Sequence, residues 1–144
     1  MQGDIDSKTV PDATVKGLSW RVTLDADEFY SKPEGDGYTA RQVAAFKAGE
    51  WSYVVVGVTP IIDGVTLPDV TETLGGVEYG TYVLTDEDDN VTGTREIDLD
   101  YLIAGMPEDD EGYPVPEMIR EAKSRLASLA PVFAEVFGNV KGGV

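Results

Sequence analysis

Four stretches of this chain carry a hydrophobic rhythm regular enough to name an element. In LSWRVTL, Leu18, Trp20, Val22 and Leu24 alternate with Ser19, Arg21 and Thr23, the period of two that half-buries a strand. The most apolar run, WSYVVVGVTPIID from Trp51 to Asp63, is rich in β-branched residues and predicts the central strand, with Pro60 limiting it or marking an edge or a bulge. TARQVAAFKAGE predicts a short helix in which Thr39 is the N-cap, Gln42 completes a capping box and Gly49 stands near the end. The clearest helix lies near the C-terminus, where Ile119, Ala122, Leu126, Leu129, Phe133 and Val136 recur at alternating spacings of three and four. Pro116 suits its first turn, and Pro131 should kink or end it.

The remaining pattern is weaker. VTETLGGVEYGTYVLT predicts one or two further strands interrupted at Gly75 and Gly76, where a bend or a close backbone approach is expected. In TREIDLDYLI, Ile97, Leu99 and Tyr101 alternate with Glu96, Asp98 and Asp100. A strand there would bury one face and set the three carboxylates in a row about 6.6–6.8 Å apart, similar in scale to neighbouring phosphates of a nucleic acid. A helix starting at Asp98 or Asp100 is the competing reading. Together the elements predict one α+β domain over residues 17–138, a mainly antiparallel sheet packed with one short helix and one long C-terminal helix. Residues 1–16 are expected to be a flexible N-terminal arm and residues 139–144 a disordered tail. The C-terminal stripe is expected to pack on the sheet, with a second copy of itself as the alternative.

Composition narrows the chemistry. A chain of 144 residues, 42% apolar, buries roughly 70% of the surface it exposes unfolded and needs no staple. It has neither cysteine nor histidine, which removes disulfides, thiol nucleophiles, the usual zinc ligands and every histidine-dependent nucleophile arrangement. No export signal or membrane span is visible, and the expected location is the cytoplasm of a host cell.

Charge changes the picture most. The net charge is −16, and residues 48–119 hold 17 acids against the single cation Arg95, while the rest of the chain balances 10 acids with 10 bases. Eleven of those acids fall between Leu84 and Gly112. A general need for solubility would have spread them more evenly. Such a chain is repelled by nucleic acid and by anionic membranes, so its natural electrostatic partner is a basic protein surface.

Candidate sites follow from these acids. Asp88, Asn90, Thr92 and Gly93 match the opening of a calcium loop, but Leu99 stands where the closing glutamate belongs. Any two of 27 acids could be nominated as a hydrolytic pair, and nothing in the sequence marks one of them as buried. GGVEYG lacks the spacing of a phosphate cradle. Trp20, Trp51 and the Val54 to Val58 run are read as core. The remaining candidate is an acidic decoy, in which Asp86, Glu87, Asp88, Asp89, Glu96, Asp98, Asp100, Glu108, Asp109, Asp110 and Glu111 bind the basic groove of a nucleic-acid enzyme.

FKAGEWSYVVVGVTPIIDGV and TLGGVEYG, about residues 46–80, resemble small uncharacterised proteins of actinobacteria and their phages, in which a Gly-x-Trp-x-Tyr-x-Val strand precedes a Leu-Gly-Gly-Val-Glu-like segment. Residues 81–116 are a longer insertion than that pattern carries. The resemblance implies a mobile-element origin and no activity. The reading that results is a non-enzymatic acidic inhibitor of a host defence nuclease or CRISPR effector, acting as a nucleic-acid mimic without cofactor or metal. The alternative is a phage structural or assembly protein, homodimeric through the C-terminal helix.

Overall fold

The structure is a computed structural model and describes residues 5–28, 33, 37–104 and 114–129. Its strands are β1 (Asp6–Pro11), β2 (Leu18–Ala26), β3 (Trp51–Ile62), β4 (Val65–Thr66), β5 (Glu72–Thr85) and β6 (Val91–Ile97). Its helices are α1 (Ala40–Lys47), α2 (Leu99–Ala104) and α3 (Pro114–Ser128). All strand pairs are antiparallel, in the order β1-β2-β3-β5-β6, with β4 hairpinned onto the end of β3. This is the expected α+β arrangement of a mainly antiparallel sheet with a short helix and a longer C-terminal helix, to which α2 adds a second short one. Among the described residues no helix is long and apolar enough to cross a membrane.

β3 lies at the centre because its sequence supplies apolar side chains to both faces. Val54, Val56 and Val58 join Leu18, Trp20, Val22 and Leu24 of β2 in the main core, which α2 closes with Leu99 and Leu102 and α3 with Val115, Met118 and Ala122. Fully burying side chains of this size stabilises by about 1.5–3 kcal/mol each. Ile119 and Leu126 pack against the same core, so the stripe from Ile119 to Leu126 is covered by the chain's own sheet, whereas Leu129 is exposed. Phe133, Val136 and Pro131 lie outside the described residues. On the other face Trp51 and Tyr53 meet Ala45 and Phe46 of α1 and the Tyr38 ring, with ring centroids 5.1–5.8 Å apart between Phe46 and the two β3 aromatics.

Pro60 does not end β3. Its carbonyl accepts from the Leu67 amide at 2.9 Å, so its nitrogen also turns toward that side, where β5 has already departed and β4 begins. The missing N–H therefore costs no ladder bond to β5. Ile62 pairs with Val65 across Asp63 and Gly64, both at positive φ, the two-residue turn that favours Asp-Gly. The Gly75-Gly76 pair is an irregularity inside one long β5, opposite the register shift between Val54 and Val56. Gly76 has φ +70, and its amide donates to the buried Asp27 carboxylate at 2.6 Å.

The N-terminal expectation is corrected. Residues 6–11 are not an arm but a strand, paired with β2 from Asp6↔Leu24 to Pro11↔Ser19. DSKTVP has no apolar alternation because only Val10 reaches the core, and a strand can be held by its backbone ladder alone. Asp12 then anchors the turn to β2. Its carboxylate, with the side chain only 2% exposed, accepts from the Trp20 indole at 2.8 Å and from the Thr14 and Val15 amides at 3.0 and 2.8 Å. Lys123 of α3 reaches it at 3.0 Å. Burial pushes the Asp12 carboxyl up, but these donors outweigh it and hold the group well below the usual carboxylate range.

A group with a depressed folded pKa stabilises fully above its unfolded value and loses that contribution as pH falls toward the folded one. Asp12 therefore sharpens acid unfolding below about pH 4, near the unfolded carboxylate pKa. Asp12→Ala should cost about 2–3 kcal/mol in urea unfolding at pH 7, through a stranded indole donor and a lost charge partner, and should flatten this acid limb. Equal unfolding midpoints for both proteins at pH 7 would contradict the anchor.

Candidate functional site

The acidic stretch is carried on a hairpin that outruns its sheet. β3 begins at Trp51, opposite Gly80, whereas β5 continues to Thr85 with β6 on one side. On the other side α1 and the residues that flank it supply the partners. The Thr81 amide donates to the Glu50 carbonyl at 2.9 Å, the Gln42 side chain donates to the Val83 carbonyl at 3.0 Å, and the Thr85 hydroxyl donates to that of Thr39 at 3.1 Å. Gly80 makes this passage possible. With φ +116, it would bring a Cβ within 2.6 Å of the Glu50 carbonyl, a contact that only glycine avoids.

Gln42 is the centre of the clamp. Its side chain accepts from the Thr39 amide at 3.0 Å while its own amide donates to the Thr39 hydroxyl at 3.4 Å, completing the capping box expected from sequence. Its carbonyl accepts from the Trp51 indole at 2.9 Å. One residue thus ties the helix start, the free edge of β5 and the second aromatic cluster together. Behind it the Tyr38 hydroxyl donates to Glu78 at 2.7 Å. Burial, and then that bond to Glu78, push the Tyr38 phenol far up; burial and the charge of Glu78 push Tyr82 up to about 12.

The turn itself is built by its first acid. Asp86 accepts from the Asp88 and Asn90 amides at 2.9 Å each, and its own amide donates to the Asn90 carbonyl at 2.9 Å. These donors, the Asn90 amide foremost, hold its carboxyl below the ordinary value. Asp89 takes φ 64 and turns back toward α1, where the Arg41 side chain donates to its carbonyl at 2.8 Å. The positive end of α1 and the Arg41 charge face a turn of four consecutive acids and offset their mutual repulsion. Asp86, Glu87 and Asp88 stay exposed at the tip.

The expected row of Glu96, Asp98 and Asp100 on one strand is corrected. Glu96 is on β6, exposed, and accepts from the Thr81 hydroxyl at 3.0 Å. Asp98 ends the strand and caps α2, its carboxylate accepting from the Tyr101 amide at 2.8 Å and its carbonyl from the Leu102 amide at 3.0 Å. Asp100 sits in the first turn of α2 and forms an ion pair with Lys8 of β1 at 3.0 Å. The competing helical reading is the correct one. Leu99 and Leu102, three apart, are both buried, and a strand would have turned Leu102 to the polar face. Glu108, Asp109, Asp110 and Glu111 lie outside the described residues. Among the described residues no three acids converge as a metal site.

Sequence reasoning missed Arg41, Gln42 and Glu78 as parts of this assembly. The capping box gave Gln42 a role in its own helix, but nothing local in sequence signals its bond to Val83, 41 positions away. No family model, curated protein or solved structure matches the chain.

Gln42→Ala should cost about 1–2 kcal/mol, combining a lost cap and a lost buried bond. Amide exchange should accelerate more across residues 83–90 than in β2. Equal acceleration in both segments would show that Gln42 stabilises the whole domain without clamping the hairpin.

Proposed function

We propose that this chain is a non-enzymatic acidic inhibitor of phage or prophage type that enters the basic nucleic-acid groove of a host defence nuclease or CRISPR effector. The observation that carries the reading is the mounting of the acids: Asp86, Glu87 and Asp88 stand exposed on a turn whose backbone is fixed by Asp86 and by Arg41 of α1. Glu96 extends the charge along the same hairpin. Carboxylates on a fixed backbone need less ordering when they meet a cationic groove, which lowers the cost of association. They also steer encounter from a distance, since residues 48–119, which include this hairpin, hold the whole imbalance of charge. A continuous strand row as the mimic is withdrawn from the reading, because Asp98 caps a helix and Asp100 is paired.

The alternative of a homodimeric assembly protein has less support. Ile119, Ala122 and Leu126 of the helical stripe that would join two copies are packed on the sheet, and of its described residues Leu129 alone is exposed.

The test is affinity for a panel of purified nucleases and CRISPR effectors. The wild-type chain should bind at least one member, with affinity falling about tenfold or more between about 50 and 200 mM salt. Reversal of Glu87, Asp88 and Glu96 to Lys, which spares the turn-building Asp86, should remove binding while leaving the melting transition intact. Binding that survives the three reversals in every complex found would sink the reading.

A further inference from the structure

The outer edge of β6 is open: in the strand order β6 is terminal, so among the described residues nothing pairs with its far side. Which of its backbone groups face outward follows from the clamp. Thr81 turns its amide to Glu50, and Val83 turns its carbonyl to Gln42, both away from β6. Each is opposite a β6 residue in the register, Thr81↔Glu96 and Val83↔Thr94. In an antiparallel pair, residues facing each other turn their backbone groups either both inward or both outward. The N–H and C=O groups of Thr94 and Glu96 therefore point away from the sheet.

The two edges of the sheet are treated differently. β1 carries Lys8 and Pro11, residues that discourage further pairing, and Lys8 is bridged to Asp100. β6, VTGTREI, contains neither proline nor lysine, is rich in strand-forming threonine, and exposes Val91 by 51%. Its approaches are negative at both ends, with Asp86, Glu87 and Asp88 beyond Val91 and Glu96 and Asp98 at the other end, about 20 Å away for six strand steps.

We propose that β6 accepts an extended, basic segment of the partner as an added strand, pairing with the outward groups of Thr94 and Glu96 while Lys or Arg side chains at its ends meet the two acidic ends. Charge selects the occupant, because an uncharged or acidic strand gains nothing from either end and a second copy of this chain would bring like charge to both. The added strand rests on the proposed function in one respect, the basic partner, and adds to it a backbone contact that a purely electrostatic decoy would not make.

The probe is a nine-residue peptide with two lysines at each end and alternating valine and threonine between them, compared with a peptide of the same charge that has prolines in its centre. At low salt the first should bind at least tenfold more tightly than the second. It should also slow exchange of the Thr94 and Glu96 amides at least tenfold. Thr94→Pro, which removes one outward donor and leaves the β5 ladder whole, should abolish the difference between the peptides without lowering the melting temperature. Should that variant unfold, amide exchange in the wild-type chain still decides. Equal binding of the two peptides with both amides unprotected would overturn the added strand while leaving the charge-based reading standing. Binding of either peptide that is indifferent to salt and to the three Lys reversals would instead overturn the charge-based reading. Protection of Thr94 and Glu96 without peptide, with light scattering reporting a dimer, would assign the edge to a second copy and overturn the proposal.

Discussion

The upper half of β5 lacks a neighbouring strand on one side, and the way that deficit is met organises the rest of the molecule. Backbone groups left unpaired on a half-buried strand are costly, so something must stand where β3 has stopped. α1 does so with Gln42 at the Val83 carbonyl, while the Glu50 carbonyl takes the Thr81 amide. That placement fixes the helix over Trp51 and Tyr53, brings Arg41 to the turn at Asp89, and leaves the β5–β6 hairpin standing beyond the body of the sheet. The acids on that hairpin are therefore displayed by a clamped element.

Electrostatics plays two distinct parts. Away from the hairpin, charge is spent on anchoring: Asp12 with Lys123, Glu72 with Arg125, and Asp100 with Lys8 fasten loops and helices to the sheet. Asp12 is the strongest of these, because its buried carboxylate is surrounded by donors, whereas the Lys8 and Asp100 side chains are 53% and 74% exposed and their pair contributes little. At the hairpin tip the acids instead face water. Holding four of them in sequence is tolerable because water screens their repulsion and the helix start lies nearby.

Much of the scaffold was legible in the chain because it depends on local periodicity. The alternation from Leu18 to Leu24, the β-branched run after Trp51, and the Thr39-Gln42 box each reappear as an element with the expected buried side. β1 was missed because an edge strand held by backbone pairing leaves no apolar alternation to read. The segment around Asp98 misled for a different reason. Ile97 and Leu99 satisfy a strand, and only Leu102 favours a helix, so a short cap-and-helix hid inside an alternating pattern. Hardest to foresee was the site itself, since the contacts of Gln42 with Val83 and of Arg41 with Asp89 join positions more than forty residues apart.

The central claim is that the clamped acidic hairpin takes the place of nucleic acid in a basic groove. It is tested most directly by competition, using a fluorescently labelled oligonucleotide bound to an effector that this chain captures. Titrating the chain should release the oligonucleotide in proportion to occupancy, and Gln42→Ala, which loosens the hairpin while keeping every acid, should need a higher concentration to do so. A ternary complex in which oligonucleotide and chain remain bound together would contradict the account.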